Sequence, residues 1–130
     1  MVRKDRPNVL KKKSRKGQNA NGLEKRFMLI LKLLNMELDI DYRFQFDFEG
    51  KLFDFYLIKS EVLIEVDGDF FHCNESKFEL KYDIQRNTIK NDNEKIKLCI
   101  DKQKKLVRFW ETDINERPEW VITQLRKAMK

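Results

Sequence analysis

The strongest constraint in the sequence is a pair of short apolar runs, 51–57 and 62–67, followed at once by Gly68 and an acid-rich loop that ends at His72 (KLFDFYLIKSEVLIEVDGDFFH). Side chains on a strand alternate between faces. Val62, Ile64 and Val66 therefore share one face, and Leu63, Glu65 and Asp67 the other. On the first run Leu52, Asp54 and Tyr56 lie opposite Phe53, Phe55 and Leu57. Paired as a hairpin through Lys59-Ser60, the runs place Asp54 and Glu65 on one face of a sheet. Two carboxylates held that close raise each other's pKa unless a cation lies between them. Oxygen-rich sites of this kind suit Mg²⁺ or Mn²⁺. Taken singly, each acid has a plainer explanation as a solvent-facing residue of an amphipathic sheet. As a group they do not, because IEVDGDFFH sets its acids among aliphatic and aromatic residues. Asp54, Glu65 and Asp67 are thus candidate metal ligands, with His72 just past the strand-breaking Gly68. The chemistry they suit is the cutting of a phosphodiester.

The flanking segments supply a scaffold. Leu23, Phe27, Ile30, Leu31 and Leu34 follow helical spacing from about Gly22, with Asn21 as N-cap and Glu24 in the first turn, where the helix dipole favours an acid. Residues 40–48, IDYRFQFDF, alternate as a strand, and Glu49-Gly50 turns the chain into the run at Lys51. Residues 75 to about 90 read as a helix in which Asp83 and Arg86 are neighbours, with 91–94 interrupting or ending it. Ile96, Leu98 and Ile100 fit either a further helical turn or an extended run. KLVRFW, 105–110, reads as a fourth strand entering parallel to a neighbour. A C-terminal helix follows over 120–129, after Pro118. The expected fold is α/β: a small mixed sheet, an antiparallel three-strand meander plus a fourth strand, flanked by helices. No glycine-rich phosphate loop follows any strand, which argues against a nucleotide-binding domain.

Charge adds a partner. The net charge of +6 sits in the first twenty residues, where Arg3, Lys4, Arg6, Lys11, Lys12, Lys13, Arg15 and Lys16 face the single acid Asp5. The rest of the chain sums to about −1. A basic arm over residues 1–21 adds sequence-independent, salt-sensitive affinity for polyphosphate. A solubilising tail or a localisation signal would have the same composition. Neither a membrane-spanning apolar run nor a signal-peptide core is evident, so a soluble, cytoplasmic chain is expected. Cys73 and Cys99 do not suggest a disulfide framework, and with one histidine they do not suggest a structural zinc site.

Several of these pieces, in this order, resemble a family. Glu24 in the first helix, Asp54 in FDFYL, the strand–Gly–aromatic–His segment IEVDGDFFH, Asp83 and Arg86 in KYDIQRN, and LVRFWETDI resemble the very short patch repair endonucleases and the phage homing endonucleases of the EDxHD type. Both belong to the PD-(D/E)xK nuclease superfamily, and the resemblance covers residues 23 to about 115. It implies a Vsr-like endonuclease domain over 22–130 that cuts double-stranded DNA with Mg²⁺ or Mn²⁺. Asp54 would be the central metal ligand, Val66 would offer its backbone carbonyl, and Glu24 would reach the hydration shell of the ion. His72 would be the general base, or position the attacking water, and Asp83 would orient it. Arg86 and the basic arm would contact DNA. The chain departs from the pattern at Asp67, where the superfamily signature has lysine and the patch-repair enzymes have histidine, which leaves the role of Asp67 open. The zinc-binding residues of the patch-repair enzymes are also missing. A phage or mobile-element homing nuclease, conceivably a homodimer, is therefore expected before a mismatch-repair enzyme. A nucleic-acid-binding protein that keeps the fold without activity is the alternative from another class.

Overall fold

A computed structural model describes residues 20–130. The elements run α1 (Gly22–Leu33), β1 (Tyr42–Phe48), β2 (Lys51–Leu57), β3 (Val62–Asp67), α2 (Asp83–Asp101), β4 (Lys105–Trp110), α3 (Glu111–Glu116) and α4 (Pro118–Ala128). The sheet has the order β1-β2-β3-β4. β1, β2 and β3 are antiparallel to their neighbours, and β4 lies parallel to β3 after the α2 crossover. This is the mixed meander-plus-one sheet expected from the sequence. The basic residues of the arm, Arg3 to Lys16, lie outside the described residues.

Glu49 and Gly50 both take positive φ (53° and 84°), the requirement of a two-residue hairpin turn whose twist matches the strands. β3 is buried along its whole length, as a strand covered on both faces must be. One face of the sheet packs Tyr42, Phe44, Phe55, Leu57, Val62, Ile64, Val66 and Phe109 against Phe27, Ile30 and Leu31 of α1, Ile114 of α3, and Val121 and Leu125 of α4. The other gathers Phe46, Phe48, Phe53, Tyr56 and Leu63 against Cys99 of α2.

Strict alternation, the sequence expectation for the hairpin, holds only within each half of it. Phe44 and Phe46 belong to different core clusters, as do Phe55 and Phe53. The reversal falls at Gln45, whose φ of 55° is left-handed, opposite Asp54. A left-handed non-glycine residue costs conformational energy and is retained where its surroundings compensate.

Two helical expectations are corrected. Residues 75–82 form turns, not helix. Asn74 starts them: its amide donates to the Asp69 carbonyl (2.8 Å) and its side chain accepts from Ser76 (2.8 Å). An Asn that bonds locally diverts the backbone from a helix. Gln85 then sets where α2 begins by accepting from the amides of Lys81 and Tyr82 (3.0 Å each). Segment 91–94 does not end the helix, which continues to Asp101 and takes in Ile96, Leu98 and Ile100. The polar side chains there bond to other elements: Lys51 Nζ donates to Asn91 (3.0 Å) and Glu94 (2.8 Å). At the C-terminus the expected helix starts at Pro118, and the unexpected α3 precedes it.

Candidate active site

The ladder between β2 and β3 stops at Phe55–Ile64. Beyond that pair, side chains replace backbone partners. The Asp54 amide donates to Glu65 Oε2 (3.2 Å), and the Val66 amide donates to Asp54 Oδ2 (2.8 Å). The reversal at Gln45 and Asp54 thus opens the sheet where the two acids meet. Burial, then the charge and hydrogen bonding of Glu65, and lastly the charge of Glu24, hold the Asp54 carboxyl well above the usual carboxylate range. The Val66 amide pulls the other way and does not offset them.

Glu24 arrives from α1. Its capping box with Asn21 is complete: Glu24 N donates to Asn21 Oδ1 (2.8 Å) and Asn21 N donates to Glu24 Oε1 (2.9 Å). Gln45 Nε2 donates to Glu24 Oε2 (3.2 Å). The structural duty assigned to Glu24 from sequence therefore holds, and the residue also lines the same cleft as Asp54, Glu65, Val66 and His72. That cleft has a volume of about 840 Å³ and is closed on its far side by Asn87, Asn91, Asp92 and Lys95 of α2.

His72 sits on a loop pinned at several points. Asp69 accepts from Thr112 (2.5 Å) and Asn74 (3.1 Å), and Gln85, fully buried, donates to the Phe70 carbonyl (3.0 Å). Here the sequence expectation needs correcting. Asp83 does not orient His72; it is exposed and pairs with Arg86 (3.1 Å). Asp92, nine residues further along the same helix, lies 2.6 Å from His72 Nδ1. With Asp92 accepting the Nδ1 proton, the neutral ring presents Nε2 as its base. Burial works to lower the imidazole pKa. The Asp92 hydrogen bond and the charges of Asp67 and Asp92 outweigh burial and the opposing Arg108, so the net shift is upward. The Asp92 carboxyl is lowered: burial would raise it, but the His72 hydrogen bond and Arg108 prevail.

Asp67, a candidate metal ligand by sequence, is committed elsewhere. Arg108 from β4 grips both of its oxygens (2.9 Å each) and reaches Asp92 at 2.9 Å. Asp67 borders a small neighbouring hollow with Trp110, not the main cleft. Burial holds its carboxyl up despite Arg108 and His72. Glu65, also a candidate ligand, is buried and bound by Lys95 Nζ, which donates to its Oε1. Arg86 lies outside the cleft, beside Lys90 and Lys97 on the outer face of α2.

Among the described residues, no three His, Cys, Asp or Glu side chains converge closely enough to hold an ion by themselves. Asp54 remains, with the Val66 backbone, and Glu24 within the same cleft. That set fits Mg²⁺, which keeps several waters and needs only one or two carboxylates. Burial first, and then the charges of Glu65 and Glu24, hold the Asp54 carboxyl up, and a cation would offset the charge repulsion.

Sequence reasoning missed Asp92, Lys95 and Arg108. Gln85, Asp92, Lys95 and Cys99 form a buried stripe at helical spacing along α2. The stripe is mostly polar, so a search for apolar periodicity passes over it. Arg108 stands in register with Glu65.

No family model and no curated protein matches this sequence. Among solved structures, the chain is similar to the catalytic domain of the homing endonuclease I-Bth0305I, with a TM-score of 0.60 and 21% identity, over 84% of this chain and 94% of that one. The likeness shows the fold, a four-stranded mixed sheet flanked by helices.

Proposed function

We propose that the chain is a metal-dependent DNA endonuclease, with Asp54, Glu24, His72 and Asp92 as its working residues. The observation that carries this reading is their arrival at one cleft from four different elements, on the fold shared with a homing endonuclease catalytic domain. A divalent ion held by Asp54 and the Val66 carbonyl, with Glu24 acting through water, would supply Lewis acidity to the scissile phosphate and lower the pKa of a water.

The chain's own residues do the rest. Asp92 keeps the His72 proton on Nδ1, so that Nε2 accepts a proton from the attacking water. A positioned general base contributes roughly 10²–10⁴-fold. Arg108 holds Asp92 and Asp67 together and so fixes the orientation of the dyad. Attack by water on phosphorus, with departure of the 3′-oxygen, leaves 5′-phosphate and 3′-hydroxyl ends. The basic arm, whose charges lie at Arg3 to Lys16, would grip phosphates beside the cut, and Arg86, Lys90 and Lys97 offer a second basic surface. A phage or mobile-element homing role, and a homodimer on double-stranded DNA, are the finer readings we favour.

Conversion of supercoiled plasmid to nicked or linear DNA in Mg²⁺ or Mn²⁺, abolished by EDTA and by H72A, is the expected result. Tight DNA binding with no metal-dependent cleavage would establish the inactive binding protein in its place.

A further inference from the structure

Lys95 stands beside the candidate cation site and pairs with one of its acids. It projects from α2 with its side chain 11% exposed, donates to Glu65 Oε1, and stands 5.2 Å from the centroid of the Phe53 ring. It lines the cleft together with Asp54. We propose that Lys95 is a built-in cation that takes one half of the Asp54–Glu65 pair and limits the cleft to a single divalent ion. The inference rests on the endonuclease reading above and goes beyond it by fixing the number of ions.

Both oxygens of Glu65 are spoken for, Oε1 by Lys95 and Oε2 by the Asp54 amide (3.2 Å). To ligate an ion, Glu65 would have to leave a buried ammonium without its partner, which is strongly unfavourable. Asp67 is likewise held at both oxygens by Arg108. A second ion some 3.5–4 Å from the first needs carboxylates of its own, and the other acids lining the cleft are engaged, Asp92 by His72 (2.6 Å) and Arg108 (2.9 Å), and Glu111 by the Asp69 amide (3.2 Å) and Arg26 (3.8 Å). The ammonium is compact, and it balances Glu65 without balancing Asp54. Asp54 therefore stays the one strong ligand.

Bound Mn²⁺ is counted by electron paramagnetic resonance and by calorimetry on the full chain, without DNA. Wild type should bind one ion. K95M leaves Glu65 unpaired beside Asp54, and should bind a second ion or hold the first at least tenfold more tightly. The double variant E65Q/K95M, which removes both charges together, keeps the test decisive where K95M alone fails to fold. It should keep one ion with its affinity within about threefold of wild type, since the local net charge is unchanged. Two ions on wild type, equal count and affinity in a folded K95M, or loss of the ion in E65Q/K95M would each overturn the inference while leaving the endonuclease reading in place. No Mn²⁺ on any of the proteins would overturn both.

Discussion

Asp54 costs the fold something. Its carboxyl is held well above the ordinary carboxylate range by burial and by Glu65, so the ionised form is disfavoured in the folded chain. A raised carboxyl stabilises the fold fully below its unfolded pKa, about 3.9, and that contribution disappears as pH rises through the folded value. At neutral pH the D54N variant should therefore be more stable than wild type, by on the order of 1 kcal/mol or roughly 4–8 °C in melting temperature, while losing cleavage. Asparagine keeps an oxygen for the Val66 amide, so the packing survives. The gain should vanish as pH falls toward 4, where the wild-type carboxyl is protonated. Thermal melts across that range provide the check, and a loss of stability at neutral pH would contradict it. His72 shifts in the same direction for a different reason. Its folded pKa is raised by Asp92 and Asp67, so the imidazolium stabilises the fold below the unfolded value, about 6.5, and that support fades as pH climbs through the folded value. In the proposed mechanism the base is the neutral ring, so cleavage should rise with pH through this raised pKa. D92N should lower the pKa, because both the hydrogen bond and the charge are lost. It should also reduce the rate by roughly 10²–10⁴-fold, because an amide can donate to Nδ1 and move the ring proton to Nε2. His72 is the one histidine in the chain, so its ring resonances report the pKa directly in an NMR titration.

At the scale of elements, α2 and the loop before it carry most of what the sequence concealed. The strands were legible because Phe, Val, Ile and Leu alternate or run together over 42–48, 51–57 and 62–67, and Glu49-Gly50 is a plain hairpin turn. β4 was legible for the same reason. The start of α2 was not, because Gln85 sets it from inside the helix, and no local rule gives a buried glutamine that duty. The interior of α2 was obscured by Asn91 and Asn93, which resemble a helix end until Lys51 on β2 is seen to bond Asn91. The break expected at 91–94 hides the polar stripe that carries Asp92 and Lys95, and the family resemblance points to Asp83 for the place that Asp92 holds. Asp54 and His72 stand out because an acid or a lone imidazole beside apolar strands contradicts the local pattern, whereas Glu24, in a first turn that favours an acid, is marked only by the family resemblance. Arg108 was not identified, since an arginine on an edge strand contradicts nothing. Two variants test these element-level supports. Q85A leaves the Phe70 carbonyl without its partner, at a cost of about 1–3 kcal/mol, and frees the amides of Lys81 and Tyr82, which lie on exposed residues, to bond to water. R108M strands Asp67 and Asp92 and should cost about 3 kcal/mol or more. Chemical denaturation measures both, and a change below about 0.5 kcal/mol in either would show that the contact is incidental.

For the whole molecule, charge is divided between a nearly neutral sequence past residue 20, summing to about −1, and a basic first segment; on the proposed function, non-specific DNA affinity would belong chiefly to Arg3, Lys4, Arg6, Lys11, Lys12, Lys13, Arg15 and Lys16. Each phosphate contact contributes about 0.9 to the slope of log affinity against log salt. Deleting residues 1–20 should weaken binding and flatten that slope by several contacts' worth, and an unchanged slope would assign the grip to Arg86, Lys90 and Lys97. The proposed cleavage chemistry rests on elements far apart in sequence closing on one cleft. The most direct test of that claim is anomalous scattering from crystals soaked in Mn²⁺. A single peak against the Asp54 carboxylate and the Val66 carbonyl, on the side of the cleft that His72 Nε2 faces, is the expected result; no peak at Asp54, or an ion bound only elsewhere on the surface, would contradict it.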